Sequence, residues 1–179
     1  MACWNLIQHQ ELSSGAASVT FTGISASYDH LVLLSSARSD SSSYTDFINF
    51  QVNNDTGSNY SRRAINNNTG SVGAVSGSSE TLWTYNYMTA ANALADTFGV
   101  METWFINYSN TAHYKTVMST STASNNSGTS AQYGQRFAGG LWSNTAAISE
   151  IDILTNTKDI VFRDIEANIN RIKTIYNLI

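Results

Sequence analysis

Short apolar runs, most of them alternating with a period of two, follow one another from Ala17 to Tyr176, each closed by a cluster of Ser, Asn, Gly or Asp. Successive side chains of a strand point to opposite faces, so alternation describes a half-buried strand and the polar clusters describe turns. Val19 and Phe21 alternate with Thr20 and Thr22 in Ala17–Ile24, and Ile48, Phe50 and Val52 with Asn49 and Gln51 in Phe47–Asn53. Tyr28–Arg38 carries Leu31, Val32, Leu33 and Leu34 without a break, the mark of a strand buried on both faces. Further strands are expected at Asn59–Ile65, Thr81–Met88, Thr97–Tyr108, His113–Ser121, Arg136–Trp142, Ile148–Leu154, Asp159–Ile165 and Ile169–Tyr176. Asn59–Ile65 reads as the hairpin return of Phe47–Asn53, and the last two strands as hairpin partners across Glu166-Ala167-Asn168. Residues 66–79 and 122–130 read as long loops, and Thr89–Asp96 as a loop or two helical turns. The expected fold is all-β: one antiparallel β-sandwich of about ten strands over residues 16–179, with 1–15 an N-terminal arm or edge strand.

Composition supports this reading and excludes several functions. Charged residues are 12% of the 179, proline is absent, and Ser, Thr and Asn make up roughly a third. Exposed helices need Glu, Lys and Arg, whereas hydroxyl and amide side chains suit strands and turns. A hydrophobic content of 42% opposes disorder. A net charge of −4 with one Arg pair, Arg62-Arg63, argues against binding nucleic acid, which takes clustered cations. No apolar run approaches the ~20 residues of a membrane helix, and Met1–Asn5 has no signal-peptide character. The expectation is a soluble product made in a cytoplasm. Cys3, the single cysteine, rules out an internal disulfide.

Catalytic patterns are weak. Gly73-Ala74-Val75-Ser76-Gly77 has its serine one place too late for a nucleophile elbow, and His9, His30 and His113 are far apart. Glu150 with Asp152, and Asp164 with Glu166, share a strand face about 7 Å apart, but Ile151, Ile153 and Ile165 put those carboxylates on a solvated side. Glu102 stands among Phe98, Val100, Trp104 and Ile106 on one face, either as a buried carboxylate with a role or as the partner of Arg38 or Arg136. Asn53-Asn54-Asp55-Thr56-Gly57-Ser58-Asn59 has the oxygen spacing of a calcium loop without its closing Glu, so an Asx-type turn is expected. No catalytic residue, metal or cofactor is assigned.

Aromatic residues carry the remaining signal. Alternation places Trp83, Tyr85 and Tyr87 on one face, where they fill the core, line a subunit interface or, with Trp142, stack on sugar rings. Trp4, Leu6 and Ile7 precede the first clear strand and form either an anchoring arm or an extra edge strand.

Trp4-Asn5-Leu6-Ile7, Ala17–Ile24, Tyr28–Leu33, Ser36–Asp40 and Asn53–Ser61 occur in an order that resembles small virion-associated proteins of tailed bacteriophages, and Ile169–Ile179 is similar to their closing strand. Residues 66–145 match that group poorly, and Asn177-Leu178 departs from its usual ending. The resemblance implies a jelly-roll-like sandwich on the virion, with no catalytic residues to carry over. Two functions follow as expectations. One is a capsid-decorating, cementing or head-fibre protein that binds the major capsid protein or other virion proteins as a homo-oligomer, for example a trimer. The other is a tail-fibre module that binds host surface glycan through Trp83, Tyr85 or Trp142, rimmed by loops 66–79 and 122–130. Neither role involves nucleic acid or membrane insertion.

Overall fold

A computed structural model describes residues 4–12, 14–68, 70–126, 132–155 and 171–178. Twelve strands lie within them: β1 Trp4–Glu11, β2 Ser18–Phe21, β3 His30–Ala37, β4 Thr45–Val52, β5 Tyr60–Asn67, β6 Val72–Glu80, β7 Trp83–Thr89, β8 Gly99–Ile106, β9 Lys115–Ala123, β10 Gly134–Trp142, β11 Ile151–Thr155 and β12 Arg171–Leu178. An eight-stranded sheet runs β1-β12-β3-β8-β9-β10-β5-β6, and a four-stranded sheet runs β2-β11-β4-β7. Every ladder is antiparallel, and the two sheets pack face to face as the alternation demands.

The core lies between them. Phe21, Ile48, Phe50, Trp83, Met88, Ile151 and Ile153 of the small sheet meet Leu31, Leu33, Phe105, Val117, Tyr60 and Trp142 of the large one. Trp83 packs edge-on to Tyr60, ring centroids 5.0 Å apart, and Phe50 edge-on to Phe105 at 6.4 Å. Burying each such side chain contributes about 1.5–3 kcal/mol. Leu31, Val32 and Leu33 are buried on both faces of β3, as the unbroken run implies, while Leu34 begins to open to solvent.

Several sequence expectations are corrected. Residues 66–79 are not one loop: they end β5 and build most of β6, since Ser, Ala and Gly fit an outer strand as well as a loop. For 89–96 the sequence left a loop and two helical turns open; Thr89 ends β7 and the rest takes the loop, where Arg38 collects its carbonyls. The guanidinium donates to the carbonyls of Ala91, Ala93, Leu94 and Thr97 at 2.8–3.2 Å. Strand β5 is not the hairpin partner of β4; it crosses to the other sheet. Asn53 and Asn54, both at φ 53°, make the turn, and the Tyr60 hydroxyl donates back to the Asp55 carbonyl at 2.9 Å. β12 pairs with β1 along one edge and β3 along the other, and Asp159–Ile165, its expected hairpin partner, lies outside the described residues. Residues 4–11 form an edge strand, the second of the two alternatives read from the sequence.

Candidate functional site

The outer face of the large sheet, turned away from the core, carries an open concavity of about 840 Å³ across β3, β8, β9, β10, β5 and β6. Pairing register arranges this outer face in three rows, the first two of which supply the floor of the concavity. Ser36, Val100, Thr122, Gln135, Asn67 and Val72 lie side by side across the six strands. Leu34, Glu102, Thr120, Phe137, Ile65 and Ala74 form the second row. Val32, Trp104, Met118, Gly139 and Arg63 begin the third. The strands alternate strictly here, so Met101, Thr103, Phe105, Val117, Ser119, Ser121 and Ala138 point the other way and are buried.

This face is more apolar than an outer face need be. Ile65, Val100 and Phe137 are half-exposed or more, at 55%, 50% and 56%, Met118 stands at 45%, and Val72 is 75% exposed. Single exposed apolar residues are ordinary; several in adjoining rows mark a surface that binds something. Between them stand uncharged hydrogen-bonding groups, Thr120, Thr122, Gln135 and Asn67, and one carboxylate, Glu102. The Trp104 Nε1–H donates to Glu102 Oε1 at 2.6 Å, which fixes both side chains on the sheet. Arg136 is the one Lys or Arg among the residues that line the concavity, and its guanidinium is turned inward over Phe47 and Tyr87, so the open face suits a neutral, largely apolar surface rather than a phosphate or another anion.

Glu102 therefore sits on the outer face and pairs with neither arginine. Arg38 serves the 91–97 carbonyls, and Arg136 lies on the inner face over the rings of Phe47 and Tyr87, 5.2 and 5.0 Å from their centroids. Lys115 is also buried, with its ammonium donating to the carbonyls of His113 and Thr145 at 2.8 and 2.9 Å. Burial pushes the pKa of that ammonium down.

Two of the three aromatic residues chosen for sugar stacking lie in the core. Trp83 is fully buried and Trp142 is 1% exposed, so neither ring offers a free face to a ligand. A bulge in β7 between Thr84 and Asn86 breaks the alternation that had grouped Trp83, Tyr85 and Tyr87. Asn86 turns inward to bond Ser119 Oγ at 2.8 Å, and Tyr87 packs on Phe47. The Tyr85 side chain and those of β12 lie outside the described residues. Of the N-terminal trio, Leu6 is 53% exposed and Ile7 packs against the core; only the backbone of Trp4 is described, paired with Leu178.

The remaining candidates are structural. Asp55 accepts from the Gly57 N–H at 2.9 Å, the expected Asx turn, and its other oxygen takes the Trp142 Nε1–H at 2.6 Å and Asn59 Nδ2 at 2.9 Å. Burial alone would raise its pKa, but donors from Trp142, Asn59, Gly57 and Asn144 hold it below the ordinary value. Those donors occupy the oxygens a cation would need, and no cluster of three or more His, Cys, Asp or Glu suited to a metal exists among the described residues. His30 Nδ1 accepts from the Asn107 N–H at 3.0 Å. Asp152 accepts from Thr20 Oγ1 at 2.7 Å, Glu150 from Asn54 Nδ2 at 2.5 Å, and Asp164 and Glu166 lie outside the described residues.

From the sequence, Val100, Trp104 and Ile106 read as a face that could bury Glu102; the structure turns that face outward. β8 has two apolar faces, Met101 and Phe105 inward against Val100, Trp104 and Ile106 outward, and that doubling was the available signal. Comparison of the chain with protein-family models, curated proteins and solved structures finds no match.

Proposed function

We propose that this protein is a non-catalytic structural protein of a tailed-bacteriophage virion, a decoration, cement or head-fibre protein that docks another virion protein on the outer face of its large sheet. The observation that carries the reading is the run of exposed apolar side chains, Val100, Phe137, Ile65 and Val72, in a concavity whose one arginine, Arg136, turns its guanidinium inward, with Met118 exposed in the adjoining row. Covering such a surface with another protein removes apolar area from water at about 25 cal/mol per Å², the usual drive for assembly. The sequence resemblance supplies the virion context, and the major capsid protein is the expected partner.

The test is the copy number per particle, by quantitative mass spectrometry against the major capsid protein, for the wild type and for Phe137→Glu. A simple fraction of the capsid count, lost in the variant, supports the proposal. Absence from the particle overturns it.

The hydroxyl and amide groups of Thr120, Thr122, Gln135 and Asn67 in the same concavity favour one second reading, a host-glycan site on a tail fibre. A low copy number, with glycan-array binding that Phe137→Ala or Gln135→Ala abolishes, would select it.

A further inference from the structure

We propose that two copies of this chain associate edge to edge through β6, in an antiparallel pair about a two-fold axis. The large sheet ends on β6: β5 lies along one edge, and among the described residues no strand lies along the other. Nor does β6 pack extensively on the small sheet, so β5 is its one extensive strand neighbour among the described residues. An unpaired edge is a row of free N–H and C=O groups, and folded proteins shorten, bend, charge or cover it.

The other three edges of this protein are managed in those ways. β2 has four residues, and β1 carries two register irregularities and ends at Glu11. β7 has a bulge, and groups from the other sheet meet its backbone: Arg62 donates to the Thr84 carbonyl at 2.9 Å, and the Tyr87 N–H donates to Ser121 Oγ at 3.0 Å. β6 has none of this from Val72 to Ser76. Its pairing with β5 is regular there, and no charged residue occurs between Asn66 and Ser79. Blunting begins only at its far end, where Arg63 donates to the Gly77 carbonyl and Glu80 pairs with Arg62 at 3.1 Å.

The strand suits a copy of itself better than a foreign peptide. Gly73, Ala74, Ser76 and Gly77 offer no side-chain pocket to read a sequence, so the backbone is the main thing on offer. Opposed residues of an antiparallel pair share a face, so a two-fold through Ala74 sets Val72 against Ser76 of the second copy, with no like charges opposed. The outer concavities of the two copies then lie on the same side and run together at Val72. This dimer does not depend on the virion reading, and its test is separate from particle incorporation.

Sedimentation velocity of the full chain over a dilution series reads the association directly. The wild type should be a dimer that dissociates on dilution, and Ala74→Lys and Ser76→Asp should each weaken it at least tenfold. Both sites are exposed, so each variant should keep the wild-type far-ultraviolet circular dichroism. The amides of Val72–Ser76 that point away from β5 should exchange at least tenfold faster in Ala74→Lys than in the dimer. A monomer at every concentration, a trimer, or a dimer equally tight in both variants would overturn the proposal.

Discussion

The Trp142 indole N–H donates to the Asp55 carboxylate at 2.6 Å, which ties the end of β10 to the corner where the chain leaves the small sheet. The bond joins residues 87 apart in sequence and makes a buried ring the support of a surface turn.

Asp55→Ala should therefore destabilise the fold by about 1–3 kcal/mol, because it removes the acceptor of the Trp142 and Asn59 donors. Hydrogen bonds depress the folded-state pKa of Asp55, so the unfolded state binds more protons as pH falls. The contribution is complete above the ordinary aspartate value of 3.8 and lost as pH drops through the lower folded value. Urea denaturation across that range should show a shallower acid dependence in the variant than in the wild type.

Trp83→Ala and Phe137→Ala should separate core from surface. The first empties a fully buried site beside Tyr60 and Phe105 and should cost about 3–5 kcal/mol in chemical denaturation. The second lies on the outer face, should change stability by no more than about 0.5 kcal/mol, and should act on binding alone.

Arg38→Met should loosen the 91–97 segment, since four backbone carbonyls lose the guanidinium, although Leu94 and Thr97 keep hydroxyl donors from Thr97 and Thr89. A loss of about 2 kcal/mol is expected from leaving the Ala91 and Ala93 carbonyls without it. Hydrogen exchange should quicken most at Ala91–Thr97, whose turn is held by that guanidinium.

Gly99→Ala should also destabilise, by about 1–3 kcal/mol, for a steric reason. A Cβ there would stand 2.6 Å from the Met88 Cα and 3.0 Å from the Thr89 nitrogen, where β8 meets β7 of the other sheet. Both are backbone atoms and cannot rotate away. A lowered thermal midpoint with an unchanged circular dichroism spectrum is the expected outcome.

The period-two pattern by itself determined the all-β class, most strand positions and many of the inward residues, because burial of one face is a local property written into alternation. Val19 and Phe21, or Ile151 and Ile153, needed no neighbour to reveal their side. Tertiary structure alone decided which strands pair, because antiparallel ladders join segments far apart and the backbone groups that pair are identical at every residue. Thus β5 crosses to the large sheet instead of returning along β4, and β12 inserts between β1 and β3. It also decided that Trp83 and Trp142 are core while Phe137 and Val100 are surface. An aromatic ring satisfies the same alternation on either face of a sheet, and only the presence of a second layer makes one face the inside.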